Sequence, residues 1–370
     1  MAIKWIDIHN VLVFSNQWRK QNEDTKDSTL SVGDRISNVF HLDFCDGINV
    51  VIGGNGVGKT SLLKMIYAAT QWSNKQTDEG KTRKLLHFFS EHLKDNEALK
   101  NTTHKDGYCA FVVSDGSHKF EYSLSHNGVF NFDNWLGLNM SSVYVPTTEM
   151  LSHAKGFLAM NQKFNMPFDG TQIDIIVNAS LPETKEITPT MTKILDKLSG
   201  VIQGKVIQND DVFYVVKDDG RKVDFSLEAE GFRKFGLLWK IVRNGLLEPG
   251  SILLWDEPEA NLNPELYPVL AEALIELQRN GVQIFAATHS YNFAKYLEIR
   301  KAESDQLLFH NLYWGSAEIP KYLEEAFPPF NNGLVIYSKS ASKLEDLHHN
   351  LIMAADEKLL DEVYNLRGGV

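Results

Sequence analysis

A glycine-rich segment, Gly-Gly-Asn-Gly-Val-Gly-Lys-Thr at positions 53–60, constrains this chain more than any other feature. It follows an apolar run at 48–52 and precedes a run of helical character at 61–67. Strand, glycine-rich loop, Lys-Thr pair and helix are the elements of a phosphate-binding loop. Glycines lack a Cβ atom, so consecutive N–H groups can surround phosphate oxygens at the positive end of the helix dipole. We therefore predict a nucleotide site here.

The side chains of this segment have distinct expected roles. The ammonium group of Lys59 is expected to reach the β- and γ-phosphates, and the hydroxyl of Thr60 to bind Mg²⁺, which prefers oxygen ligands. A glycine-rich turn with an accidental Lys-Thr pair is the alternative, and the flanking strand and helix disfavour it. The other residues expected to contact the nucleotide are Gly53, Asn55, Gly56, Val57, Gly58 and Ser61.

A second motif lies about two hundred positions downstream, where an apolar run at 251–255 ends in Asp256 and Glu257. A continuous apolar run is typical of a strand buried on both faces, and functional groups in open α/β sheets follow the carboxyl ends of strands. We expect Asp256 to hold Mg²⁺ and Glu257 to polarise the attacking water. Repulsion between the two carboxylates also favours a bound cation. A strand that ends in a solvated acidic turn is the alternative.

A third apolar run at 282–288 ends at His289. One expected helix, from 264 to about 280, separates it from the acidic strand, so the two strands should be parallel and His289 should lie beside the carboxylates. An imidazole there can donate a hydrogen bond to the γ-phosphate or position the water. An ordinary surface histidine is the alternative.

Together, these three motifs resemble the ATPase head of ABC-type proteins. More narrowly, they resemble bacterial AAA-family ATPases that share this head with SMC proteins, double-strand-break repair ATPases and OLD-type nucleases. The resemblance covers most of residues 1–315 and implies an α/β P-loop NTPase fold with a mixed central sheet, an N-terminal β-rich subdomain and a helical lobe. It also implies that Asp256 and Glu257 are the Walker B pair, that His289 is the switch histidine, and that Asn261 belongs to a D-loop at a dimer interface.

The signature motif of this class has only a degenerate counterpart, in the segment 226–235. Here Glu230 and Gly231 would face a γ-phosphate held by the opposite subunit, through N–H groups at a helix start. The usual serine is replaced by Ala229 or shifted. A plain amphipathic helix start is the alternative.

The Q-loop position follows an expected strand at 142–146 and contains no glutamine. Thr147 or Glu149 is the candidate for its metal- or water-contacting role, and we count Glu149 among the expected metal ligands. The alternative is that Glu149 lies in the first turn of a helix that begins near Thr148 as N-cap. No adenine-stacking residue is identifiable, although Trp18 and Phe40 are candidates.

The expected organisation has four parts. Residues 1–148 would form the first part of the ATPase core, with a helical insertion at about 75–105. Residues 149–227 would form a helical and β lobe, with a first helix at about 150–162, and residues 228–315 the second part of the core. Residues 316–370 would form a helical tail with an amphipathic helix at 344–366, and a polar loop is expected at 21–28. Nothing after the His289 motif matches the Asp-x-Asp pair of a Toprim nuclease domain, and the chain lacks the sustained heptads of coiled-coil arms.

Composition narrows the possible partners. The formal net charge of −11 disfavours a surface coated with nucleic-acid contacts, although it leaves a local basic groove open. The two cysteines, Cys45 and Cys109, lack metal-ligand spacing and are expected to be free thiols. The sequence shows no signal-peptide pattern and no apolar stretch of the roughly 20 residues that span a bilayer. We therefore expect a cytoplasmic protein without a membrane partner.

The leading functional expectation is a Mg²⁺-dependent ATP hydrolase that forms a homodimer, or a higher oligomer, with two ATP molecules between its subunits. The resemblance implies a separately encoded effector, of which a nuclease is one candidate, in phage defence or DNA maintenance. The preference for ATP over GTP also rests on the resemblance alone. One alternative is a nucleotide-gated scaffold or binding module with little turnover. A transporter ATP-binding subunit is a weaker alternative.

Overall fold

The computed structural model describes residues 1–15, 39–74, 85–90, 96–101, 108–124, 128–131, 134–164, 166–316, 334–347 and 349–368. The strands in chain order are β1 (Trp5–His9), β2 (Phe40–Asp43), β3 (Ile48–Gly53), β4 (Ala110–Ser114), β5 (Lys119–Ser123), β6 (Gly128–Asn131), β7 (Ser142–Val145), β8 (Gly204–Asn209), β9 (Val212–Lys217), β10 (Lys222–Asp224), β11 (Ile252–Asp256), β12 (Gln283–Thr288), β13 (Leu307–Ser316) and β14 (Leu334–Ala341). The α-helices are α1 (Lys59–Trp72), α2 (Leu85–Phe89), α3 (Phe157–Phe164), α4 (Gly170–Ala179), α5 (Pro189–Ile202), α6 (Glu230–Arg243), α7 (Tyr267–Arg279), α8 (Tyr291–Arg300) and α9 (Leu351–Gly368).

A mixed six-stranded sheet forms the centre of the molecule, in the order β14-β13-β3-β12-β11-β7. The pair β13–β14 is antiparallel, and the other neighbouring pairs are parallel. Asp256 pairs in register with Ala287, and Thr288 pairs with Ile52. The three motif-bearing strands β3, β12 and β11 are therefore adjacent, and their carboxyl ends lie on one edge. The expected α/β fold with a mixed central sheet is confirmed.

The two faces of the central sheet are covered by different layers. On β3, Ile48, Val50 and Ile52 belong to one hydrophobic cluster, and Val51 belongs to the other. This alternation follows the period of two along a strand. The first cluster is completed by residues of α4 to α8, and the second by residues of α1 and of β1, β2, β4 and β5, which belong to the antiparallel sheet β2-β1-β4-β5-β6. Because both faces are covered, the sequence of β3 reads as a continuous apolar run.

Side-chain caps define the starts of three helices around this sheet, α4, α5 and α8. Asp169 forms a capping box with Gln172 at the start of α4, and its carboxylate also accepts a 2.7 Å hydrogen bond from Lys64 Nζ on α1. Thr188 caps α5, and Ser290 caps α8. The Asp169 contact joins the helical lobe to the helix that follows the glycine-rich loop. Among the described helices, none has the length and apolar character that a bilayer span needs.

Some expected elements differ from the structure. The expected single helix at about 150–162 is wrong. A 3₁₀ turn at Leu151–His153 is followed by α3. Gly156 lies between them with φ +65°, and a left-handed residue cannot continue a right-handed helix. The expected C-terminal helix at 344–366 is likewise a 3₁₀ turn at Leu344–Asp346 followed by α9. Most of the expected insertion at 75–105 and the polar loop at 21–28 lie outside the described residues. The tail at 316–370 is not wholly helical as expected, because it contains β14, which pairs with β13 in the central sheet. The domain boundaries stay predictions.

One ion pair joins the end of α7 to the turn before β13. Arg279 donates from Nε and Nη2 to the two carboxylate oxygens of Asp305, at 2.8 and 2.7 Å. The Asp305 side chain is 3% exposed and also accepts a hydrogen bond from the Ala302 N–H. These contacts lower the pKa of Asp305. A second partner of the same arginine, Glu276, is 37% exposed.

We expect Asp305→Asn to lower the free energy of unfolding by about 1–3 kcal/mol, because it removes the charge of a nearly buried carboxylate that accepts two hydrogen bonds from Arg279. Glu276→Gln is the matched control, since it removes an exposed partner of the same guanidinium and should cost less than about 0.5 kcal/mol. Urea unfolding at pH 7 measures both variants. Equal losses for the two variants would contradict the assignment of Asp305 as the stabilising partner.

Candidate nucleotide site

Gly53, Gly56 and Gly58 of the glycine-rich loop have positive φ, and at Gly53 and Gly58 a Cβ atom would also clash. Gly53 has φ +146°, and a Cβ atom there would lie 2.3 Å from the carbonyl oxygen of Leu312. Gly58 has φ +93°, and a Cβ atom would lie 2.6 Å from the ring of Phe14. By contrast, a Cβ atom on Gly54 or Gly56 would have no neighbour within 4 Å. The loop is therefore packed on one side and open on the other.

The side chain of Lys59 bonds to the backbone of its own loop. Its Nζ donates to the carbonyl oxygens of Gly53 and Gly54, both at 2.9 Å. Burial lowers the pKa of Lys59, and the nearby carboxylates of Glu257 and Asp256 oppose this effect. Helix α1 begins at Lys59, and its N-cap Gly58 offers no side chain to the first N–H groups. These N–H groups face the position where an anion could bind.

The side chains of the remaining loop residues differ in their exposure to solvent. The side chain of Val57 is buried in the hydrophobic cluster around α1, so only its backbone can contact a ligand. Asn55 is exposed, and Ser61 is partly exposed. Their nucleotide contacts stay predictions.

The two halves of the expected metal site are in contact. Thr60 Oγ1 donates to Asp256 Oδ2 at 2.9 Å, across 196 positions of sequence. Burial raises the pKa of Asp256, and hydrogen bonds from Thr60 and Thr147 lower it. Among the described residues, Oδ1 of this buried carboxylate has no well-formed hydrogen bond. A buried, unpartnered carboxylate oxygen beside a hydroxyl fits a cation that prefers oxygen ligands.

The number of protein ligands also fits Mg²⁺. Within the described part of the chain, no three His, Cys, Asp or Glu side chains form a group that could enclose a metal. Mg²⁺ is usually bound by one or two protein oxygens, with waters and substrate phosphates as the other ligands. Thr60 and Asp256 could supply such a minimal set.

Glu257 and His289 meet at the ends of β11 and β12. His289 Nδ1 lies 3.0 Å from Glu257 Oε1, and both side chains are partly open to solvent. Glu257 has φ +50°, and its N–H donates to the Ala287 carbonyl at 2.8 Å. A carboxylate and an imidazole in contact at this edge can bind and orient a water molecule.

A second group contains the residues expected in the signature motif and D-loop. Asn261 Nδ2 donates to Glu230 Oε1 at 2.6 Å, and a Cβ atom on Gly231 would lie 3.2 Å from Leu262. Helix α6 begins at Glu230, and its N-cap Ala229 makes no side-chain cap. The first N–H groups of α6 thus lack a side-chain cap, next to the loop that follows Glu257.

The structure gives Glu149 other partners than the expected metal. Its carboxylate accepts hydrogen bonds from the N–H groups of Leu151 and Ser152 and lies 3.3 Å from Arg233 Nη1. This is the capping alternative, although the capped element is a 3₁₀ turn and the N-cap residue is Met150 rather than Thr148. The metal role of Glu149 stays a prediction. Thr147 is the residue of this segment that contacts Asp256.

Three residues that the sequence did not single out support the site. Lys234 on α6 donates from Nζ to the Glu257 carbonyl at 2.9 Å, and Thr288 donates to the buried carboxylate of Glu259. Burial raises the pKa of Glu259. The sequence does contain one signal for Lys234. It lies four positions before Leu238, which is buried, so helical spacing places it on the apolar face of α6.

No contact among the described residues brings either adenine-stacking candidate, Trp18 or Phe40, to the site. Phe40 is buried on β2, with its ring centroid 4.6 Å from that of Phe14. Trp18 lies outside the described residues.

The loop geometry predicts unequal effects of two alanine substitutions. We expect Gly58→Ala to lower the free energy of unfolding by about 1–3 kcal/mol, because it combines a left-handed backbone with a clash against Phe14. Gly54→Ala is the control, and its effect should stay within about 0.5 kcal/mol. Urea unfolding without nucleotide measures both. Equal stabilities would show that the loop is not packed as described.

Comparison with known proteins agrees with this geometry. The model for "AAA domain, putative AbiEii toxin, Type IV TA system" matches residues 137–294, and a model for "AAA domain" matches residues 35–200. The L-cystine import ATP-binding protein of Bacillus subtilis (strain 168) is 27% identical over 125 residues. That match covers 32% of this chain and 45% of the relative, which is less than half of the relative's length.

SMC heads are among the solved structures that the comparison matches. An SMC head bound to the C-winged helix domain of ScpA has a TM-score of 0.51 at 10% identity, covering 94% of this chain and 100% of that one. The SMC head domain from Thermotoga maritima has a TM-score of 0.46 at 14% identity, covering 92% and 99%. The first likeness shows a shared fold. The two AAA-domain matches, each over less than half of the chain, and this shared fold support the resemblance to ABC/SMC-like AAA ATPases.

Proposed function

We propose that this chain hydrolyses ATP, with Mg²⁺, at the edge where β3, β11 and β12 end. The observation that carries the proposal is the 2.9 Å hydrogen bond from Thr60 to Asp256. It joins the phosphate-binding loop to the acidic strand, so that a triphosphate on the loop would lie beside both carboxylates. The phosphate-binding loop binds phosphates and does not read the base. The choice of ATP over GTP therefore rests on the ATPase class alone.

The residues of this chain would divide the work as follows. The N–H groups of the loop and the ammonium of Lys59 bind the phosphates, with Lys59 leaving the carbonyls of Gly53 and Gly54. Thr60 and Asp256 hold Mg²⁺, which when bound neutralises charge on the phosphate oxygens. Glu257 accepts a hydrogen bond from the attacking water, and His289 keeps the Glu257 carboxylate in place.

The first test is Glu257→Gln, which keeps the shape of the side chain and removes its basicity. We expect kcat for ATP hydrolysis to fall by about 10²–10⁴-fold. ATP affinity should stay within about threefold of the wild type, because the phosphate-binding groups are unchanged. Phosphate release and calorimetric titration with ATP measure the two quantities.

Glu265→Gln is the matched control for this test, because Glu265 is an exposed carboxylate in the same connection between β11 and α7. Its kcat should equal that of the wild type. Equal phosphate release by wild type and Glu257→Gln would reject catalysis through Glu257. Phosphate release that is equally low in both would favour the nucleotide-gated scaffold with little turnover.

We also propose that two subunits enclose the nucleotides. The uncapped start of α6 at Gly231 and the adjacent Asn261 form a group of their own, distinct from the loop at 53–60. N–H groups at a helix start suit a γ-phosphate, and one supplied by a second subunit would complete the site. The homodimer, and any higher oligomer, rests on this argument.

A mixing experiment tests for such a shared site. Gly231→Glu suits a helix start but repels phosphate, and Lys59→Ala removes the phosphate-binding ammonium. Each variant alone should be inactive. In an equal mixture, half of the dimers are mixed and each has one intact site of two, so about a quarter of wild-type activity should return. Phosphate release by the mixture measures this recovery.

The control mixture combines Lys59→Ala with Glu257→Gln. Both changes affect the nucleotide-binding half of a subunit, so every site in a mixed dimer carries one of them. No activity should return. A first mixture that stays inactive, or equal recovery in both mixtures, would reject the shared site.

We further propose that the ATP state controls a separately encoded effector, with a nuclease as one candidate, in phage defence or DNA maintenance. The similar SMC head was solved bound to a domain of ScpA, which is a separate protein. The transporter alternative draws on the match to an import ATP-binding protein. Affinity purification of Glu257→Gln with ATP, followed by mass spectrometry, separates them, because a co-purified membrane permease would favour the transporter.

A further inference from the structure

Lys234 is a buried lysine at the edge of the proposed hydrolytic site. It is the fifth residue of α6, three positions after Gly231, and is 3% exposed. Lysine is almost never buried to this degree unless its ammonium has specific partners. Its Nζ donates to the main-chain carbonyl of Glu257 at 2.9 Å.

The residue that Lys234 holds has an unusual backbone. Glu257 has φ +50°, a left-handed conformation that is costly for a residue other than glycine and persists only where the surroundings enforce it. The Glu257 N–H donates to Ala287, and its carbonyl accepts hydrogen bonds from both Lys234 Nζ and the Ala260 N–H, the latter at 3.1 Å. The peptide that carries the proposed base is therefore fixed from three directions.

The same short loop is also held from β12. Thr288 donates to the buried carboxylate of Glu259, and the Ser290 N–H donates to the Thr288 hydroxyl at 2.9 Å. These bonds fix the strand end that carries His289. Lys234 therefore holds the backbone of Glu257, whereas the hydrogen bond between Thr288 and Glu259 holds the strand end next to His289.

Electrostatics explains why a lysine occupies this position. Burial lowers the pKa of Lys234 to about 8, and the carboxylates of Glu259, Glu230, Glu257 and Asp256 oppose this effect, in that order. The ammonium is therefore mostly charged near neutral pH. It balances part of a cluster of negative charge that a neutral donor would leave uncompensated.

We propose that Lys234 is a positioning residue for ATP hydrolysis: it holds the Glu257 main chain so that the carboxylate stays in contact with His289 at the reaction edge. The inference rests on the proposed ATP hydrolysis and adds a residue that acts through Glu257. Lys234 contacts the carbonyl of Glu257 and has no role in the phosphate-binding loop. Removing its ammonium should therefore slow the chemical step and leave ATP binding intact.

Lys234→Met tests this, because methionine is apolar and fills much of the same space. We expect kcat to fall about 10–100-fold, since small displacements of a catalytic group are costly. The KM and Kd for ATP should stay within about threefold of the wild type. Lys240→Met is the matched control: Lys240 is 4% exposed on the same helix, and its Nζ lies 3.4 Å from Glu183 Oε1, away from Glu257. Its kcat should match the wild type.

The double variant Lys234→Met/Glu257→Gln separates positioning from a general structural effect. If Lys234 acts only through the Glu257 carboxylate, the double variant should be no slower than Glu257→Gln alone. Calorimetric ATP titration shows whether Lys234→Met is folded. If it does not fold, Lys234→Gln takes its place, because its amide nitrogen ends one bond short of Nζ and loses the same hydrogen bond.

The outcomes separate this inference from the proposed function. An active wild type with unchanged kcat in the Lys234 variant overturns the inference alone. Equal losses of kcat in the Lys234 and Lys240 variants, or a further loss in the double variant, also overturn it. A wild type without turnover would overturn the proposed hydrolysis and this inference together.

Discussion

The parallel pairing of β3, β12 and β11 is the constraint on which the rest of the site depends. These strands are buried along their whole lengths, so layers must cover both faces of the sheet. Parallel strands bring their carboxyl ends to one edge, and here each end leads into a polar group: the glycine-rich loop, Asp256 with Glu257, and Thr288 with His289. A shift in the register of β12 would separate Glu257 from His289 without changing any residue.

Burying charge at this edge is costly, and the arrangement of opposite charges reduces the cost. Lys59 and Lys234 lie among Asp256, Glu257 and Glu259, and each ammonium also reaches a main-chain carbonyl. Even so, Oδ1 of Asp256 and Oε2 of Glu259 have no hydrogen bond among the described residues. A ligand that brings both phosphate charge and a cation would satisfy several of these groups at once. It would therefore stabilise the folded state by mass action.

The sequence predicted the parts of this site that depend on local pattern. The apolar runs predicted the strands, and the glycine spacing predicted the loop, because each depends on residues that are adjacent in the chain. The burial of Lys234 depends on contacts between α6 and a loop that follows β11, more than twenty positions later. The break of the expected helix at Gly156 depends on a positive φ that composition does not reveal. Glu149 was ambiguous because a carboxylate near a helix start suits a cap as well as a metal, and its pairing with Arg233 is a tertiary contact.

Packing against the surrounding fold restricts the shape of the loop at 53–60. The Leu312 carbonyl on β13 leaves room only for glycine at position 53, and the buried ring of Phe14 does the same at position 58. Lys59 also bonds to two carbonyls of the loop, and it would leave these contacts when it binds phosphate. A loop that is already ordered loses little conformational freedom when a phosphate binds, so more of the contact energy appears as affinity. The segment that carries Phe14 and strand β13 would therefore support nucleotide binding through packing, although neither supplies a residue with an expected contact to the nucleotide.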